Sequence, residues 1–191
     1  MTSRTETKTS TGNNRKDSAL LRLPGELRNK IYGYLVVEGR TYELMGKRAL
    51  LPHHLAFITI CRQILQEAAF IPFGLNVFKF KKVLYLFSRN LLMSSQRCVI
   101  TFIHLETTLP DANLYASLFK RSAPSLPIRM PSVRFVKVTL QRSHGPLPEN
   151  WAEFLSIKGN REEMDKFEAW LKGGSDKVRV IWELHKFQHS T

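Results

Sequence analysis

The strongest constraint on the fold is an alternation of strand-like and helix-like runs that begins near residue 76 and continues almost to the C-terminus. Asn76-Val77-Phe78-Lys79-Phe80 is short and rich in aromatic and β-branched residues, the composition of a strand. Val83, Leu84, Phe87 and Leu91 follow at helical spacing. Residues 98–105 are apolar on both alternations except at Thr101 and His104, which predicts a strand buried on both faces. Asp111 is placed to cap a helix carrying Leu114, Leu118 and Phe119, and residues 122–132, with three prolines, read as a loop. A further strand is expected over 133–140, with Arg134 and Lys137 directed to water or a partner, then a Pro/Gly loop over 141–150. Asn160 and Glu163 have the spacing of a capping box ahead of Met164, Phe167 and Leu171. Gly173-Gly174 ends that helix, and 177–184 closes the series as a strand. Such alternation implies an α/β fold, with strand-helix units around a central, partly parallel sheet.

The first third of the chain has a different pattern. In Leu20 to Val36, Leu27, Ile31, Tyr34 and Leu35 recur at i, i+4, i+7 and i+8 behind Pro24, which suits a first helical position. Arg28, Asn29 and Lys30 fall on the opposite side, so the expectation is an amphipathic helix whose leucine-bearing face packs inward. Thr41–Leu44 and residues 49–51 suggest a hairpin around Gly46. Pro52 opens a second amphipathic stretch, with Phe57, Ile60, Cys61, Ile64, Ala68 and Ile71 at helical spacing, which Pro72 and Gly74 should stop. Residues 1–18 contain no large apolar residue except Met1 and are expected to be a disordered tail; residues 19–191 read as a single domain.

These two helical segments carry a resemblance. Leu23-Pro24, Glu26-Leu27, Ile31 and Tyr34-Leu35 resemble the opening of an F-box. Together with Ile60-Cys61-Arg62-Gln63-Ile64, Glu67-Ala68, Phe73-Gly74, Asn76 and Phe78-Lys79-Phe80, they are similar to a large family of filamentous-fungal proteins that begin with an F-box-like segment. The likeness covers roughly residues 20–140, with 19–80 as F-box-like helices plus hairpin and first strand, and 81–191 as βα units. It implies a protein–protein interaction module that docks on the Skp-type adaptor of a cullin–RING ubiquitin ligase and holds a target protein. Leu23, Pro24, Glu26, Leu27, Ile31, Tyr34 and Leu35 would be the partner-binding residues.

Composition narrows the alternatives. Of 191 residues, 43% are hydrophobic, as in a globular chain, and no apolar run is long enough to span a bilayer. Without a signal-like apolar segment near Met1, the two cysteines, Cys61 and Cys98, read as reduced thiols of an intracellular protein, cytoplasmic or nuclear. The net charge of +13 is unevenly spread: residues 81–150 carry ten basic and three acidic side chains, whereas 151–191 carry seven of each. Such a basic middle attracts polyanions. It gives a second function class, nucleic-acid binding through Lys81, Lys82, Lys120, Arg121, Arg134 and Lys137, against the plainer reading of solvated charge.

Catalysis finds no support in the spacing of the residues. There is no GxGxxG, P-loop or GxSxG; His53 and His54 are adjacent, and Cys61, Cys98 and His104 lie on separate elements with no CxxC or HxxxH spacing between them. Only Glu106 and Asp111 are acidic between residues 68 and 148, and Glu162, Glu163, Asp165 and Glu168 suit a solvated helix face. The expectation is therefore a non-enzyme with no cofactor and no metal, acting through a protein partner.

Overall fold

The computed structural model describes residues 18–36, 39–44, 57–58, 60–87, 91–112, 125–141, 151–157 and 159–184. Its centre is a sheet of five strands: β1 (Thr41–Leu44), β2 (Val77–Phe80), β3 (Phe102–Thr107), β4 (Phe135–Leu140) and β5 (Arg179–Leu184). Neighbours in the sheet are neighbours in sequence, β1-β2-β3-β4-β5, and all four pairings are parallel. The expected α/β architecture is present, and the sheet is parallel throughout.

Strand order decides where the helices go. Crossovers between parallel strands are right-handed almost without exception. When successive strands are added in one direction, crossovers of one hand all land on the same face. Tyr42, Phe78, Ile103, Val136 and Val180 stand in one register row, and Leu44, Phe80, Leu105, Val138 and Trp182 in the next but one. Both rows belong to the core cluster, together with residues of the connections such as Ile64, Phe73, Leu86, Leu126, Phe167 and Leu171. Phe73 stacks on Phe78 at 5.2 Å, and Phe167 meets Trp182 edge-on at 6.1 Å.

The alternate strand positions point the other way: Val77, Phe102, Phe135 and Ile181, with Glu43, Lys79, His104 and Lys137. None of those apolar four belongs to the core cluster. No residue of β3 is exposed: Ile103 and Leu105 are buried inward, and of the outward positions Phe102 and His104 are half-buried and Glu106 is buried, but the strand begins later than expected. The apolar run at 98–100 is not strand: Cys98 and Val99 end a helix, Ser94–Val99, and Cys98 is exposed. The strand itself alternates Ile103 and Leu105 inward with Phe102 and His104 outward.

The connecting helices show further departures. Two short N-terminal helices, α1 (Ala19–Arg22) and α2 (Gly25–Leu35), are separated by Pro24, which caps α2 instead of occupying its first turn. Of the expected tail only Ser18 is described; its hydroxyl accepts from the Leu21 N–H, and residues 1–17 lie outside the described residues. The hairpin is half described: residues 49–51 lie outside, and β1 pairs in parallel with β2.

The second amphipathic segment divides into α3 (Arg62–Ala68) and α4 (Ile71–Leu75). Pro72 does not stop a helix but sits in the first turn of one, where a missing N–H costs nothing. The helix expected from Val83 is a single 3-10 segment, Val83–Phe87, followed by α5 (Ser94–Val99). Thr108, not Asp111, caps the next turn: its Oγ1 accepts from the Asp111 N–H at 3.2 Å, while Leu114, Leu118 and Phe119 lie outside the described residues. The proline loop contains a helical turn, α6 (Leu126–Arg129), started by Pro127.

After α7 (Trp151–Ser156) comes α8 (Asn160–Lys172), whose N-cap is Gly159 in the left-handed region. Asn160 is already helical, and its amide donates to the Phe154 carbonyl at 2.9 Å, so it ties two helices together instead of capping. At the other end Gly173 has φ 53° and Ser125 lies directly against it, so a side chain there would have neither the backbone conformation nor the room.

Candidate interaction surface

Helix α2 is set in place by a charge, not by its leucines. Arg28 and Tyr32, four residues apart, face inward, and Tyr32 is fully buried and stacked on Phe57 at 6.1 Å. Arg28 grips Glu67 of α3 with two parallel bonds, Nε to Oε2 at 2.7 Å and Nη2 to Oε1 at 2.6 Å, and its Nη1 donates to the Leu23 carbonyl. Tyr32 Oη and Gln63 Nε2 also donate to Glu67, at 3.2 and 3.0 Å. Hydrogen bonding from Arg28, opposed by desolvation and reinforced by Gln63 and Tyr32, holds the Glu67 carboxyl down to about 2. A fork-to-carboxylate pair of this kind fixes orientation as well as position.

The consequence lies on the opposite side of the helix. With Arg28 and Tyr32 turned in, the face expected to pack is turned out. Tyr34 is 85% exposed, Leu35 47% and Leu27 46%; Pro24 and Glu26 are also exposed, while Leu23 and Ile31 are half-buried. Ile60 and Leu65, which flank and belong to α3, are exposed too. The inward-packing expectation for Leu27, Tyr34 and Leu35 is therefore corrected. The arginine read as solvated instead spends its guanidinium on a carboxylate 39 residues away and buries its stem.

The structure does not gather the basic candidates into one patch. Lys81 is ion-paired with Glu43 at 2.6 Å and Lys137 with Glu183 at 2.8 Å, both on the outward sheet face. Arg134 donates to the carbonyls of Pro131 and Val133, and Lys82 is exposed just after β2. Lys120 and Arg121 lie outside the described residues. A lysine already held by a carboxylate offers a phosphate less net charge.

Sequence reasoning missed three groups. The first is the Arg28–Tyr32–Glu67 clamp, for which the only signal was an Arg and a Tyr at i, i+4 on the supposed polar side. The second is the pair Phe102 and Phe135, outward on adjacent strands with ring centroids 5.8 Å apart. The third is His104, in register between Lys79 and Lys137, with Nε2 at 2.8 Å from Thr139 Oγ1. Burial and the two lysines lower its pKa. Among the described residues no group of three or more His, Cys, Asp or Glu is arranged to hold a metal ion, and no helix is long and apolar enough to cross a membrane. Comparison with protein-family models, with curated proteins and with solved structures returns no match.

Proposed function

We propose that this chain is an F-box-like protein–protein interaction module that docks through α2 on a Skp-type adaptor of a cullin–RING ubiquitin ligase, with the α/β remainder holding a target. One observation carries the reading: Pro24, Glu26, Leu27, Tyr34 and Leu35 lie exposed on the side of α2 opposite the Arg28–Glu67 clamp, with Leu23 and Ile31 half-buried at their edge. An apolar stripe that seals its own core has no surface to offer. This one is spare, since Tyr32, Val36 and Arg28 do the inward packing. Large apolar side chains held outward on a helix, with one aromatic, Tyr34, in its last turn, supply the anchor of a helix-mediated contact.

The test is co-purification with the adaptor. Leu23→Ala/Pro24→Ala should abolish capture while leaving the circular dichroism spectrum unchanged. A wild-type chain that captures no adaptor at micromolar concentrations would refute the reading. So would a double variant that unfolds, since the segment would then be part of the core.

A further inference from the structure

The far side of β5 is an open edge of the sheet: among the described residues β4 is its only strand neighbour. The Arg179 N–H donates to the Arg134 carbonyl at 2.8 Å, so Arg179, Ile181 and Glu183 turn their backbone groups to β4. Val180, Trp182 and Leu184 turn theirs to the open edge. Their side chains lie on the core face, yet all three are only half-buried, whereas Val136, Val138 and Leu140 beside them on β4 are buried. Native sheet edges are commonly protected by brevity, proline, a bulge or lysine. At the other edge β1 is four residues long. β5 has six, in unbroken register with β4 and with neither proline nor lysine. Its two charges, Arg179 and Glu183, are opposite in sign and stand two residues either side of Ile181, all three exposed on the outward side.

We propose that β5 pairs antiparallel with β5 of a second copy of this chain, joining the two sheets across a two-fold axis at Ile181. The charges make the strand complementary to itself. Directly opposite residues of an antiparallel pair share a face, so with Ile181 set against its own copy, Arg179 meets Glu183 of the second copy and Glu183 meets its Arg179. Val180 and Trp182 of the second copy then exchange both backbone bonds, as do Trp182 and the second copy's Val180, which uses the groups that β4 leaves free. A register moved by two residues in either direction sets Ile181 against a charge, so the pattern selects this one. Both charges are able to serve. Arg179 takes part in none of the ion pairs on the outward face, and Lys137 holds Glu183 at Oε2 only, which leaves Oε1 for a second donor. An edge contact of this length is smaller than a permanent dimer interface, so the dimer is reversible. The edge is separate from the α2 face and does not depend on adaptor docking.

The experiment is sedimentation velocity on the full chain from micromolar to submillimolar concentration. Wild type should pass reversibly from monomer to dimer as concentration rises. Arg179→Glu and Glu183→Arg each set like charges against one another at both symmetry-related contacts, and each should raise the dimer dissociation constant by at least about tenfold. Mixed in equal amounts, the two variants should associate again, because each supplies the charge that the other has lost. A merely structural role for either residue would not give that rescue. Arg179→Glu alone decides the matter if Glu183→Arg fails to fold. A wild type that stays monomeric, a dimer indifferent to the reversals, or a mixture no more associated than its separate components would overturn the proposal.

Discussion

Replacing Glu67 by Gln tests the clamp that orients α2. The wild-type carboxyl titrates at about 2 against an ordinary 4.5, because Arg28, then Gln63 and Tyr32, hold its ionised form against the desolvation that opposes it. At about 1.4 kcal/mol per pKa unit this difference is worth roughly 3 kcal/mol at face value. The Glu67 side chain keeps 24% of its surface in contact with water, so screening reduces the expected contribution to roughly 1–2 kcal/mol.

The sign follows from the direction of the shift. A carboxyl depressed in the folded state stabilises fully above the unfolded pKa of 4.5, and the contribution disappears as pH falls toward 2. Urea unfolding followed by tryptophan fluorescence should show Glu67→Gln less stable by that amount at pH 7. The gap should narrow through pH 4 and close near pH 2. A gap independent of pH, or none at pH 7, would refute the assignment of α2's orientation to this charge pair.

Other variants probe packing and exposure. Phe78→Ala removes a ring that is buried, stacked on Phe73 and tilted against Tyr42, and should cost on the order of 3–5 kcal/mol in chemical denaturation; a loss below about 1 kcal/mol would place the ring elsewhere. Gly173→Ala forces a methyl against Ser125 at a positive φ, so a loss of roughly 1–3 kcal/mol is expected, whereas an unchanged midpoint would mean α6 does not abut the end of α8. Tyr34→Ala, on the outward side of α2, should change stability by less than about 0.5 kcal/mol; a larger loss would show that this ring packs.

The sequence disclosed most where local rules and tertiary packing agree. Phe78 and Phe80 read as core strand residues and are core, and Gly173-Gly174 read as a helix stop and both adopt positive φ. It disclosed least where a polar side chain does the work of an apolar one. Periodicity assigned α2's inner face to Leu27 and Leu35, because nothing local announces that Arg28 has a carboxylate waiting at Glu67. The division of β3 and β4 between the two sheet faces was hidden because it depends on register. Hydrophobic runs near β3 suggested a longer strand, but those residues belong partly to the end of α5, and only the register separates Ile103 and Leu105 from Phe102 and His104. Phe135 then reads as core by type and is outward by register.

The central claim is that the outward face of α2 is a binding surface, and isothermal titration of the intact chain with a purified Skp-type adaptor tests it most directly. The wild-type chain should give saturable binding at micromolar concentrations. Tyr34→Glu, which places a charge where the ring is 85% exposed, should weaken binding by at least about tenfold with the unfolding midpoint unchanged. No heat of binding from the wild type, or equal affinity from the variant, would contradict the account.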